Sequence, residues 1–159
     1  MTGGCDVSRA HIEVNSSHNE ATNAAPLELP LVAPRLVVSK SRRCLELYAD
    51  GRVVRTYGVA LGKNGVDDKE REGDERTPEG EFYVCVKNAA SKFSRSLGLS
   101  YPNKEDAERG LRGSLITRAE YDRIVEALDK HLRPPWDTAL GGEIFIHGGG
   151  ASTDDRHGS

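Results

Sequence analysis

The chain has 159 residues, a length that predicts a single domain. Apolar residues make up 36% of it and charged residues 30%, which predicts a small core beneath a well-solvated surface. The formal net charge of −3 argues against a general nucleic-acid binder and against a protein that binds anionic membranes, because both normally present a basic surface.

Residues 1–34 are predicted to form a flexible leader. They are rich in Ser, Asn, Glu and Ala, carry prolines at positions 26, 30 and 34, and show no hydrophobic period. Such a segment cannot bury enough apolar surface to offset the entropy lost when a chain becomes ordered. The folded domain is therefore expected to cover residues 35–159.

Neither a signal peptide nor a membrane span is expected. The start of the chain has no basic region followed by an apolar one, and no apolar run reaches the length of a span. Residues 2–5 resemble the end of a bacterial lipoprotein cleavage box, so a lipid anchor at Cys5 is expected only if the true start lies upstream.

The three cysteines are Cys5, Cys44 and Cys85. They form no CxxC pair, which argues against a zinc knuckle and against a redox motif. Two ordinary strand thiols at Cys44 and Cys85 are the preferred prediction, and a disulfide between them is the alternative.

A three-stranded meander is predicted first. Residues 35–40, 43–49 and 52–61 are β-branched or alternate between apolar and polar side chains, the pattern of half-buried strands. Asp50 and Gly51 separate the second run from the third, and this pair tolerates the positive φ angles of a two-residue hairpin turn.

Residues 62–76 are predicted to form a solvated polar loop, since no apolar residue occurs between Asp67 and Arg76. A rigid turn follows at residues 77–82, where Pro78 fixes one φ angle and Gly80 permits an unusual one. The turn leads into a strand predicted at residues 80–87.

Residues 117–132 have the clearest helical pattern. Thr117 and Glu120 have the spacing of a capping box, and an apolar stripe follows at helical spacing. The stripe contains Tyr121, Ile124, Val125, Leu128 and Leu132. A last strand is predicted at residues 143–147. Because strands outnumber helices, the fold class is predicted to be mainly β with one or two outer helices, or α+β by count.

His147 is the first candidate for chemistry, because it ends an apolar strand and is followed by three glycines. That position suits a general base with open backbone around it, and it equally suits a structural histidine bonded to a turn carbonyl. A second candidate is the run His157, Gly158, Ser159. A hydroxyl after a glycine on a tight turn can present both a nucleophile and backbone N–H groups to a carbonyl.

Several segments together resemble the catalytic domain of the peptidoglycan L,D-transpeptidases of the YkuD type. The most specific are a Thr-Pro-x-Gly-x-Phe element at residues 77–82 and an Ile-His-Gly element at residues 146–148. The others are residues 45–52, 57–62, 100–103 and 148–154. The resemblance implies a mixed β-sandwich, the stem peptides of peptidoglycan as partners, a location in the cell envelope or periplasm, and no metal or organic cofactor.

The resemblance also implies roles for individual residues. His147 is expected to shuttle protons, Gly158 to form the oxyanion hole with its backbone, and Ser159 to stand at the position of the nucleophile beside His157. Gly148, Gly149 and Thr77 are expected to contact the substrate. In such enzymes a cysteine thiolate attacks a tetrapeptide stem, expels D-alanine and passes the acyl group to an amine on a neighbouring stem.

Position 159 departs from the family pattern, which has a cysteine there. A serine hydroxyl is a weaker nucleophile at neutral pH than a thiol, whose pKa is about 8.5. The strand expected after the nucleophile is also missing from the sequence, so the domain is expected to be C-terminally incomplete and catalytically impaired.

Three alternatives stay open. The first is a peptidoglycan-binding module without catalysis, and the second is a hydrolase of the same family, since water competes with the amine for the acyl-enzyme. A metal hydrolase that uses His147, His157 and Asp154 or Asp155 is disfavoured, because their spacing matches no standard zinc motif.

Overall fold

The computed structural model describes residues 12–15, 26–91 and 94–148. These residues form seven strands and two helices. In chain order they are β1 (Ile12–Asn15), β2 (Arg35–Ser39), β3 (Cys44–Ala49), β4 (Arg52–Ala60), β5 (Val84–Ser91), β6 (Ser94–Leu99), α1 (Lys104–Arg112), α2 (Arg118–Asp129) and β7 (Phe145–Gly148).

Strands β2, β3 and β4 form the predicted antiparallel meander. Ala49 pairs with Arg52 across a two-residue turn. In that turn Asp50 has a φ of 48° and Gly51 a φ of 72°, the left-handed values that this kind of hairpin requires. The prediction of a turn at these two residues is confirmed.

Strands β5, β6 and β7 form a second antiparallel unit. The strand predicted at residues 80–87 is displaced, because the N–H group of Tyr83 bonds to the hydroxyl of Ser100 at 2.9 Å instead of to a strand carbonyl. Strand β6 was not predicted. Its serines and glycine are weak strand formers, so its sequence carries little β signal.

Strand β1 joins the two units into one mixed sheet of order β2-β3-β4-β1-β7-β6-β5. It runs antiparallel to β4 and parallel to β7. The expectation that no regular structure precedes residue 35 is therefore wrong at Ile12–Asn15. The remainder of the predicted leader up to residue 25 lies outside the described residues.

One apolar cluster lies beneath both halves of the sheet. Its buried members are Val38, Leu45, Val59, Leu99, Tyr101, Ile144 and Ile146. Because β2, β3 and β4 contribute to the same cluster as β6 and β7, the two units enclose a common core. The predicted class, mainly β with outer helices, is confirmed.

The two helices pack on a smaller cluster formed by Ala107, Ile116, Ile124 and Leu140. Helix α2 begins with the predicted capping box, in which Thr117 Oγ1 accepts from the N–H of Glu120 and Glu120 Oε2 accepts from the N–H of Thr117. Leu132, predicted to belong to the apolar stripe, lies beyond the helix end and is 57% exposed.

Helix α1 was not predicted, because most of its residues are charged or polar. It is stabilised at its start by a second capping box between Asn103 and Asp106. Neither described helix is long and apolar enough to cross a membrane. Cys44 and Cys85 are free thiols, as preferred from the sequence.

Candidate active site

His147 lies on β7 in the interior of the sheet. It pairs with Ser96 of β6 on one side and with Glu13 of β1 on the other. Its neighbour Ile146 is 6% exposed and belongs to the main core. Since side chains alternate along a strand, the half-buried His147 points to the opposite face of the sheet.

That face also carries Phe145, two residues before His147. The Phe145 ring meets the ring of Trp136 edge to face, with 5.8 Å between centroids and 72° between planes. The strand that carries the histidine is thus held by the main core on one face and by aromatic packing on the other.

The predicted rigid turn at residues 77–82 is confirmed by its backbone. Gly80 has a φ of 119°, and a Cβ at this position would lie 2.6 Å from Nδ2 of Asn103. Thr77 is fully buried, and its Oγ1 accepts a hydrogen bond from the N–H of Gly62 at 3.1 Å. This places Thr77 as a support of the loop, and its predicted contact with substrate stays a prediction.

The loop at residues 62–76 is less solvated than predicted. Lys69 and Asp74 form an ion pair at 2.8 Å in which both side chains are 8% exposed. Burial by itself would raise the pKa of Asp74. The hydrogen bonds from the Lys69 ammonium and from the N–H groups of Arg71, Glu70 and Arg76 outweigh burial and lower that pKa to about 2.

A second buried carboxylate, Asp106, ties α1 to this loop. It accepts hydrogen bonds from the N–H of Asn103 and from the guanidinium of Arg109. Arg109 in turn contacts Asp68 at 3.1 Å and donates to the carbonyl of Lys69 at 2.7 Å. Burial raises the pKa of Asp106 to about 7, although Asn103 and Arg109 oppose the shift.

Lys40 anchors the other end of the loop. Its ammonium donates to the carbonyl of Asp67 at 2.8 Å, to the carbonyl of Thr77 at 3.2 Å and to Oε1 of Glu79 at 2.8 Å. Because its side chain is only 7% exposed, the charge is stabilised chiefly by these three oxygens. The turn at residues 77–82 is therefore fixed from β2.

A cleft of about 650 Å³ lies between this loop and the segment that leads into β7. Trp136 and residues 141–144 form one wall, and residues 61–63 with part of the loop form the other. His147 does not line the cleft. It lies three residues farther along the chain than Ile144, which does, or roughly 10 Å along an extended strand.

The structure describes only part of the predicted site. His147, Gly148 and Thr77 are described, whereas Gly149, His157, Gly158 and Ser159 lie outside the described residues, as do Asp154 and Asp155. Apart from Gly148 itself and its two chain neighbours, no described atom lies within 4 Å of the point where a Cβ would stand at Gly148. Within the described ranges no cluster of His, Cys, Asp and Glu is suited to a metal.

Sequence reasoning missed Trp136 and Arg109 as supports of the site, and it noted Tyr101 only within the segment at residues 100–103 that resembles the family. Tyr101 is fully buried, and its hydroxyl donates to the carbonyl of Leu140 at 3.1 Å. Burial raises the pKa of this phenol, so it stays a neutral donor. For Trp136 the available signal was that it is the chain's one tryptophan and follows two prolines.

A mainly β domain with a histidine at the end of an interior strand agrees with the class that the motifs suggested. The family model of the YkuD L,D-transpeptidase catalytic domain matches residues 33–159. This chain belongs to that family, whose members are cysteine-type acyltransferases.

Among curated proteins the chain is similar to one named "Putative L,D-transpeptidase YafK" from Escherichia coli strain K12 and to its counterpart in strain O157:H7. Each is 27% identical over 86 residues, which is 50% of this chain and 35% of the relative. The chain thus matches about a third of the length of these relatives. No solved structure matches it significantly.

Proposed function

We propose that this chain is an acyl-transfer domain that acts on the stem peptides of peptidoglycan in the cell envelope. The observation that carries the proposal is the placement of His147 in the interior of a sheet, at the end of a strand whose preceding residue is fixed in the core. This placement fixes the backbone that carries the imidazole, and a general base must be held in position beside accessible space. Membership of the family supplies the reaction class.

In the proposed reaction, the nucleophile at position 159 attacks the carbonyl carbon after the third residue of a tetrapeptide stem and loses its proton to His147. The bond from that carbon to the nitrogen of D-alanine then breaks, and His147 returns the proton to the leaving amine. An amine on a neighbouring stem attacks the resulting acyl-enzyme and restores the nucleophile. Backbone N–H groups around Gly158 would stabilise the oxyanion in both halves.

Ser159 is proposed to impair this reaction. A hydroxyl ionises far less readily than a thiol, so His147 would have to remove its proton during the attack itself. The base would then be present without an adequate partner. We therefore expect weak or no acylation of the natural chain, and recovery of acylation when position 159 carries a thiol.

We further propose that the cleft binds an amine-bearing peptide. The cations that line it, Lys63, Lys69 and Arg76, are each paired with a carboxylate of the loop at residues 62–76. Glu72 and Glu143 also line it, and neither takes part in the ion pairs found within the described part of the chain. Two such carboxylates in a cleft that Trp136 also lines favour a ligand that carries an ammonium group over an acidic one.

Acylation by a carbapenem, followed by intact-mass spectrometry, tests the proposed nucleophile position and base. The natural chain is expected to form no adduct, and Ser159→Cys is expected to gain one carbapenem mass. Adding His147→Gln to that variant should slow acylation by roughly 10²-fold or more. An adduct on Ser159 of the natural chain would contradict the impairment, and a folded Ser159→Cys chain without an adduct would contradict the assigned position.

A second candidate is a peptidoglycan-binding module without catalysis, and the serine at position 159 is the observation that favours it. Retention of the natural chain on purified sacculi, together with no adduct on Ser159→Cys, would favour this alternative. If Ser159→Cys cleaves a stem peptide in water but joins no acceptor amine, the chain is a hydrolase of the family.

A further inference from the structure

Trp136 is fixed at several points. Its indole N–H donates to the carbonyl of the buried Tyr101 at 3.0 Å. The guanidinium of Arg133 lies over its ring, 4.7 Å from the centroid. A Cβ at Gly142 would lie 2.2 to 2.4 Å from three atoms of the Trp136 side chain, so the backbone leading into β7 runs directly against it.

Phe145 is held between Trp136 and β6. On one side it meets the indole edge to face at 5.8 Å. On the other side it faces Gly98, where a Cβ would lie 2.9 Å from Cε1 of Phe145. Gly98 is also the β6 partner of Phe145 in the ladder. The Phe145 ring can therefore move little without displacing the strand.

His147 lies two residues beyond Phe145 on β7. Phe145 and His147 share one face of β7, and their β6 partners, Gly98 and Ser96, share the same face of the adjacent strand. A shift of the Phe145 ring would thus act on the strand within two residues of the imidazole.

The contact between Trp136 and Phe145 contributes little to the hydrophobic core. Both side chains are only partly buried, and neither belongs to the two apolar clusters that stabilise the fold. The Trp136 indole is held by a hydrogen bond and packs against the Phe145 ring of β7, the strand that carries His147. This arrangement suits a residue that positions the strand better than one that stabilises the core.

We propose that Trp136 is a positioning residue for His147 and acts through Phe145. The indole, fixed by Tyr101, holds the Phe145 ring against Gly98 and so sets the position of β7 and the orientation of the imidazole. The inference rests on the proposed function only in naming His147 as the base. Its test reads the geometry of His147 directly and needs no catalysis.

The test is NMR of the chain labelled with ¹³C and ¹⁵N at histidine, with the His147 imidazole signals assigned by their loss in His147→Gln. Trp136→Phe removes the indole N–H and shortens the ring. It is expected to shift the His147 imidazole signals or split them into two forms. Tyr121→Phe, which alters an aromatic ring on α2, is the matched control and should leave them unchanged.

A second variant approaches the same ring from the other side. Gly98→Ala would push Phe145 towards Trp136, and it is expected to perturb the same His147 signals even if Trp136→Phe does not fold. Unchanged His147 signals in either variant, with a natural far-UV circular dichroism spectrum, would overturn the proposal. Because acylation is not the readout, a failed acyl-transfer hypothesis would leave this result interpretable.

Discussion

Asp74 and Asp106 are both almost fully removed from water, yet their pKa values move in opposite directions. Four hydrogen bonds favour the ionised form of Asp74 more than burial penalises it. At Asp106 burial outweighs the hydrogen bonds from Asn103 and Arg109. The two carboxylates should therefore leave separate signatures on the pH dependence of stability.

Asp74 should cause a loss of stability in acid. Its folded pKa of about 2 lies below the ordinary 3.8, so its contribution is complete above pH 3.8 and is lost as the pH falls towards 2. The contribution is about 2 kcal/mol by linkage. Urea denaturation of the natural chain and Asp74→Asn should converge in acid. Asp67→Asn, which alters a carboxylate that is 69% exposed, is the control.

Asp106 should act in the opposite sense. Its folded pKa of about 7 lies above the ordinary 3.8, so its favourable contribution is complete below pH 3.8 and is lost as the pH rises to 7. Relative to Asp106→Asn, the natural chain should lose unfolding free energy across this window, because the buried carboxyl must then ionise. Glu105→Gln, on the exposed side of α1, is the control. An equal pH dependence in the natural chain and Asp106→Asn would contradict the assignment.

At the element scale, the turn at residues 77–82 connects the charged loop to β5. It is fixed by the Lys40 ammonium, by the buried hydroxyl of Thr77 and by the close approach of Gly80 to Asn103. Asn103 also caps α1, so one side chain joins the turn to the helix. A substitution at Gly80 should consequently affect both the turn and α1.

Gly80→Ala should destabilise the chain more than Gly51→Ala. Both glycines have positive φ, which costs an alanine of the order of 1 kcal/mol. At Gly80 the added methyl also meets Asn103 at 2.6 Å, whereas at Gly51 it meets nothing within 4 Å of the described chain. Urea denaturation should therefore show a larger loss of unfolding free energy for Gly80→Ala than for Gly51→Ala. An equal loss at both positions would show that the Asn103 side chain moves aside at little cost.

Elements with strong local signals could be predicted from the sequence, and elements that depend on their surroundings could not. The turn at Asp50 and the capping box at Thr117 follow from short-range chemistry, and both are confirmed. Strand β6 and helix α1 are stabilised by partners distant in sequence, such as the β7 ladder and Leu140 beneath α1. No period in their own residues reveals those partners.

At the scale of the whole molecule, β1 is the feature that the sequence concealed. Four residues from the predicted leader pair with β4 and with β7, and so connect the two halves of the sheet next to His147. Their neighbours are remote in the chain, so a local pattern could not place them. The boundary of the folded domain at residue 35 stays a prediction.

The sequence was more informative about the chemistry of the candidate site than about the residues that hold the site in place. The motifs around residues 77–82 and 146–148 pointed to the family, which the match over residues 33–159 confirms. The burial of Lys69 with Asp74 within a charged run and the packing of Trp136 on Phe145 depend on tertiary contacts. A run of charged residues whose composition predicts exposure to solvent can still be buried when its ion-pair partners fold over it.

The most direct test of the central claim is release of D-alanine from a tetrapeptide stem. Under the proposal, the natural chain should release none, Ser159→Cys should release it, and Ser159→Cys with His147→Gln should lose most of that rate while remaining folded. Release by the natural chain at the rate of Ser159→Cys would contradict the impairment. Full activity without the imidazole would contradict the assignment of His147 as the base.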